Sequence, residues 1–197
     1  MMALLWAGAE ARSGRGSCND NETAGKKKFS QSRFDGRWYA IAIDKDFYDP
    51  EASCANEDVV KNFDGSLSIV RNSYTLDDGW RQKQVQAIIN ENKRGEYGLC
   101  NDEEGCLRDI TPHFKYIATD YEEWAIEYVC IDIVPGKYFV DSISIKSREP
   151  EMDESTLELV TNVIETSIKG YDSSNLIFIQ HCAICPFDDV PVTEALQ

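Results

Sequence analysis

From Phe34 onward, apolar residues come in short runs separated by turn residues. Trp38 to Ile43 reads W-Y-A-I-A-I, followed by Val59 to Phe63 and Leu67 to Val70, with Asp64-Gly65, a hairpin turn signal, between the last two. Asp77-Asp78-Gly79 marks a further turn, and Gln84 to Ile89 alternates before breaking at Asn90 to Gly95. Glu96 to Ile110 has no clear period and holds Cys100 and Cys106 on either side of an acidic tip. His113 to Ala118, Trp124 to Ile133 and Tyr138 to Ile145 complete the series, the last two joined across Val134-Pro135-Gly136-Lys137. About eight strands at this spacing predict an antiparallel barrel or sandwich. A different period follows. Leu157, Val160, Val163, Ile164 and Ile168 recur every three or four residues and predict one amphipathic helix. Ser155 with Glu158 reads as its capping box, Gly170 as its stop, and Asn175 to Ile179 as a short final run.

Charge and cysteine content narrow the class. The 197 residues carry 20 Lys+Arg against 35 Asp+Glu, a net charge of −15. That balance argues against nucleic acid and against electrostatic attachment to an anionic membrane, both of which need basic patches. The acid reads as a solubility shell. Hydrophobic content of 42% indicates a globular chain. No apolar run is long enough to predict a membrane span. Seven cysteines favour an oxidising compartment. Cys182 to Cys185 is the one C-x-x-C, runs directly into Pro186 and has no second pair, which argues against zinc and against a thioredoxin-like role. The apolar start, ending near Ala9-Glu10-Ala11, reads as the remnant of a signal peptide, and Asn21-Glu22-Thr23 as a glycosylation acceptor. Residues 1–28 are expected as signal remnant or flexible tail, 29–187 as one barrel-plus-helix domain, and 188–197 as an acidic tail.

Three short motifs, in order, carry a family resemblance. They are Gly36-Arg37-Trp38 on the opening strand, Thr119-Asp120-Tyr121 between the sixth and seventh strands, and Arg148 after the eighth. With the capped helix behind the arginine, the chain resembles the lipocalin family. Ala118 to Cys130 is most similar to the group of apolipoprotein D, retinol-binding protein and insect bilin-binding protein. The resemblance implies an all-β fold: an eight-stranded antiparallel up-and-down barrel with one C-terminal α-helix packed on the outside. It implies that Trp38 plugs the closed end, that Arg148 lies across its face, and that Thr119, Asp120 and Tyr121 fix a turn beside them. It also implies two bridges, Cys54 to Cys185 and Cys18 to Cys130. Cys100 and Cys106 are close enough in sequence to pair locally, outside the usual family pattern, which leaves Cys182 over or else has it replace Cys185.

Strand alternation then sorts the walls. With Trp38 inside, Ala40, Ala42 and Asp44 follow it inward, and Ile41 and Ile43 point outward. The helix needs an apolar face, which Ile126, Tyr128, Ile143 and Ile145 supply. That sends Ala125, Glu127 and Val129 inward on one strand and Tyr138, Val140, Ser142 and Ser144 inward on the next. Phe114, Tyr116 and Ala118, then Leu67, Ile69 and Arg71, and Val85 and Ala87 complete the expected interior, with Phe47 and Tyr48 at the mouth. Glu127 and Arg71 are expected to pair or to hold a polar-ended ligand. The alternative is a register one residue different, which sends both to solvent.

The expected function is that of a secreted carrier of one small lipophilic molecule. Biliverdin or another bilin, a carotenoid, a retinoid or a fatty acid would be cargo, with no obligatory cofactor and no metal. Homodimerisation or a cell-surface receptor would supply any protein partner. The alternatives are a lipocalin-type isomerase with a cavity cysteine and a defence or protease-modulating lipocalin. The enzyme reading is disfavoured because Cys54 occupies the bridged position. Parity turns His113 away from the cavity, and His181 lies in the C-terminal extension.

Overall fold

A computed structural model describes residues 13–18, 26, 28–49, 53–89, 96–100, 113–168, 170–179, 181 and 185–191. Among the described residues ten strands form one sheet: β1 (Ser13–Arg15), β2 (Gly36–Asp44), β3 (Ser53–Lys61), β4 (Leu67–Thr75), β5 (Gly79–Ile89), β6 (Glu96–Cys100), β7 (His113–Thr119), β8 (Trp124–Val134), β9 (Tyr138–Ser147) and β10 (Leu176–Phe178). Strands β2 to β9 pair antiparallel in sequence order, and β9 returns to β2, closing a ring of eight. Closure leaves no open edge along the ring. β1 pairs with the start of β9, so part of the expected N-terminal tail is a strand. β10 pairs with β2. A short helix, α1 (Gln31–Phe34), precedes the ring, and α2 (Glu154–Ser167) follows it. The apolar start, Asn21, Cys106, Cys182 and the side chain of Cys100 lie outside the described residues.

Two apolar clusters lie on opposite sides of the barrel wall. The outer one joins Val160, Ile164 and Ile168 of the helical segment to Ile126, Tyr128, Ile143 and Ile145, the face expected from periodicity. The inner one fills the closed end with Trp38, Phe34, Leu67, Ile69, Phe114 and Tyr116. Helix α2 begins two residues earlier than the S-x-x-E box at Ser155 suggests. Asp153 is the N-cap, and its carboxylate accepts from the Thr156 backbone N–H at 3.0 Å. Strand β3 likewise starts at Ser53 rather than Val59, because the polar stretch before Val59 still pairs with β4.

Two bulges correct the expected alternation. Ala40 pairs with Lys146 and Ala42 with Ile145, so Ile41 is an extra residue on β2. Beyond it the strand faces invert: Ile41 and Ala42 join the outer cluster, and Ile43 turns inward to the cavity. Asp44 consequently leaves the interior and accepts from the Ile143 N–H and the Tyr171 hydroxyl. On β7, Tyr116 pairs with Glu127 and Ala118 with Ile126, making Ile117 the extra residue and turning Ala118 outward.

The closed end is locked by the family motifs. The Arg148 guanidinium lies 3.7 Å from the Trp38 ring centroid and donates to the carbonyls of Arg37 and Arg33. Gly36, at φ +101°, sits where an added Cβ would be 3.2 Å from Arg148 Nη1. Thr119 Oγ1 accepts from the Tyr121 N–H, and Asp120 Oδ1 accepts from three successive backbone N–H groups at Glu122, Glu123 and Trp124. These contacts hold Tyr121 at a positive φ of 76°.

Candidate ligand-binding site

Above the Trp38 plug the barrel encloses a cavity of about 530 Å³. Its size lies within the range of small-molecule sites, about 300–1,000 Å³. Of the expected wall, Ala40, Phe47, Tyr48, Arg71, Val85, Glu127, Ser142 and Ser144 border it. Leu67, Ile69, Ala87, Phe114, Tyr116 and Ala125 are inside the barrel but form the packed floor beneath the cavity. Besides Asp44 and Ala118, which the bulges turn outward, three expected wall residues are elsewhere. Ala42 is outside because of the bulge. Tyr138 is 50% exposed at the start of β9, where Arg15 pairs with it. Val140 pairs with Ser13 and Ile131 near that end and does not border the cavity.

The layering follows from the registers. Glu57 is the cross-strand partner of both Trp38 and Arg71, and Glu127 is the partner of Tyr116. The charged side chains therefore lie just above the aromatic floor. Ile43, Val129 and Ile131 form apolar wall higher up, with Ser142 and Ser144 as hydroxyl positions.

The charged layer holds four groups. Arg71 Nη2 is 3.0 Å from Glu127 Oε1, and Arg71 Nε is 3.7 Å from Glu57 Oε2. Lys146 Nζ contacts both Glu57 Oε1 and Glu127 Oε2. Two carboxylates and two cations thus alternate in a closed ring. Burial alone would raise the Glu127 carboxyl, but Lys146 and Arg71 together hold it below its ordinary value. Burial works against the Arg71 charge as well, and Glu127 and Glu57 outweigh it and raise that pKa. Tyr116, fully buried and facing the two carboxylates, is pushed well above its ordinary value.

The expected Arg71–Glu127 pair forms, but it is half of the arrangement. Lys146 lies two residues beyond Ser144 with the same parity, so carrying the alternation one step further would have found it. Glu57 had no such signal, because it lies in the polar stretch that reads as a loop before Val59.

Both expected long-range bridges are formed, Cys18 to Cys130 and Cys54 to Cys185. The first ties the N-terminal segment to β8, and the second ties the C-terminal segment to β3. His113 pairs with Cys130 across β7 and β8, next to the inward Phe114, and so faces away from the interior. His181 has Nε2 2.8 Å from the Ala40 carbonyl, and burial lowers its pKa.

A ring of eight strands, a Trp–Arg plug, an outer helix and an interior cavity define a barrel of the ligand-carrying class. Residues 35–181 match the lipocalin / cytosolic fatty-acid binding protein family. The chain belongs to the lipocalin family. Among solved structures it is similar to insecticyanin from the tobacco hornworm Manduca sexta, with 21% identity, TM-score 0.71, and 88% of this chain and 90% of that one covered. It is also similar to apocrustacyanin C1, at 16% identity and TM-score 0.69 over 89% and 94%. Lobster apocrustacyanin A1 is similar at 20% identity and TM-score 0.64 over 80% and 82%. No curated protein sequence matches the chain.

Proposed function

We propose that the protein is a secreted carrier that holds one small lipophilic molecule in the barrel. The observation that carries this reading is the cavity of about 530 Å³, with apolar walls above a charge-balanced layer. Such a site suits an apolar body with a polar end, as in a retinoid, an oxygenated carotenoid, a bilin or a fatty acid. The two disulfides among the described residues fit an extracellular setting. The isomerase alternative loses support because Cys54 is bonded to Cys185 and is not a free nucleophile.

The test is titration of purified protein with retinol, a ketocarotenoid, biliverdin and palmitate, followed by tryptophan fluorescence, absorption and thermal unfolding. One equivalent of at least one compound should quench fluorescence and raise the unfolding temperature. A Val129→Trp variant, filling the cavity, should lose both responses. The reading fails if no compound produces either change.

A further inference from the structure

The charged layer sets the chemistry of the ligand's inner end. Glu57, Glu127 and Lys146 keep only 5–6% of their side-chain surface open, whereas Arg71 keeps 39%. All four line the cavity, and Arg71 is therefore the member most open to it. Its guanidinium has five N–H donors. Nη2 faces Glu127 and Nε faces Glu57, and among the described residues Nη1 meets no acceptor. The deep end of the cavity thus presents unused N–H donors. It does so with no net charge to offer, because the two cations are already matched by two carboxylates.

We propose that this cavity selects ligands whose inner end is a neutral oxygen acceptor, an alcohol, aldehyde or ketone, and rejects a carboxylate there. The proposal rests on the carrier reading above and names the ligand class for the same site. A neutral oxygen accepts from Arg71 and leaves the ring balanced. A carboxylate would be a third buried anion beside Glu57 and Glu127, and the ring's own cations, Arg71 and Lys146, are already paired. Tyr116, beneath the ring, adds no positive charge. Other charges also border the cavity. Arg81 is paired with Asp78, and Asp49 is exposed; Lys83, the cross-strand partner of Arg71, is exposed as well, so water screens its charge. An acid could turn its charged end toward them. Its apolar end would then lie against Arg71, leaving those donors without an acceptor.

All-trans-retinol and all-trans-retinoic acid share one polyene and differ at the polar end; hexadecanol and palmitate form a second such pair. Fluorescence titration at neutral pH should show the wild-type protein binding the alcohol of a pair about tenfold or more tightly than the acid. Glu127→Gln removes one carboxylate and frees a positive charge, so the ratio should fall to about one or invert. Glu57→Gln should move the ratio in the same direction through the other carboxylate, which keeps the test decisive should Glu127→Gln fold poorly. A purely structural role for the ring would change stability and leave the ratio alone. Equal affinities in the wild type, tighter acid binding, or a ratio unmoved in both folded variants would overturn the proposal while leaving the carrier reading intact. If neither member of either pair binds the wild type, the carrier reading itself fails for these ligand classes.

Discussion

Glu127 and Asp44 are both buried carboxylates on the barrel wall, one facing in and the other facing out. Inside, Glu127 meets two cations, Arg71 and Lys146, and its pKa lies below the ordinary value. Outside, Asp44 accepts from the Ile143 N–H at 2.6 Å and the Tyr171 hydroxyl at 2.8 Å, and desolvation still raises its pKa. The two sites separate two ways of burying an acid. Neutral donors satisfy its lone pairs but leave the charge uncompensated, whereas opposite charges compensate it but must themselves be desolvated. The interior layer is consequently a balanced set in which every member depends on the others. The outer site is a local hydrogen-bonded anchor between the wall and the segment after α2.

The largest effect should come from breaking the balanced set. Lys146→Met leaves Glu57 and Glu127 with Arg71 alone and should cost about 3–5 kcal/mol in urea unfolding. A loss below about 1 kcal/mol would mean that the interior carboxylates do not depend on paired charge, and the contrast with Asp44 would collapse. Tyr171→Phe removes one neutral donor from Asp44 and should cost less, about 1.5–3 kcal/mol, because the Ile143 N–H remains.

The two acids should also give stability opposite slopes with pH. Asp44 has a raised folded pKa, so the native state keeps a proton where the unfolded chain has lost it. Its contribution is therefore complete below the unfolded pKa and declines as pH rises toward the folded value. Glu127 has a lowered folded pKa. Its contribution is complete above the ordinary glutamate range and is lost as pH falls through the folded value. Asp44→Asn should thus gain stability relative to wild type near pH 7 and gain less near pH 4, the ordinary carboxylate range. Glu127→Gln should instead flatten the acid limb. Urea unfolding at a series of pH values separates the two, and parallel curves for both variants would remove the distinction.

What was legible in the sequence was whatever depends on short-range pattern. The turns at Asp64-Gly65 and Val134 to Lys137, the helix stripe, and the Gly36, Trp38, Thr119 and Arg148 positions all keep their roles in the fold. The bulges were not legible. Nothing in A-I-A at residues 40–42 or Y-I-A at 116–118 marks an unpaired residue; the extra residue is dictated by how β2 and β7 meet their neighbours as the ring closes. One such residue inverts every later position, which is why Ala42 and Asp44 were expected inside and Ile43 outside. Glu57 was hidden for a related reason. A polar strand facing an ionic layer has no apolar alternation to announce it, and pairing with β2 and β4 is what extends the strand from Val59 back to Ser53.

The smallest effect tests the same contrast from solvent. Arg33 Nη2 and Glu122 Oε1 are 3.2 Å apart, closer than Arg71 Nε and Glu57 Oε2 in the interior layer, but the side chains are 55% and 81% exposed. Water already compensates both charges, and holding two long side chains together costs entropy. Glu122→Gln should therefore change stability by less than about 1 kcal/mol, with added salt shrinking the difference further. The Arg33 guanidinium also stacks 4.4 Å from the Tyr121 ring centroid, a contact that the substitution leaves in place. A loss from Glu122→Gln comparable to that from Lys146→Met would mean that proximity, not burial, sets the strength of ion pairs in this barrel. The balanced interior layer would then have no special standing.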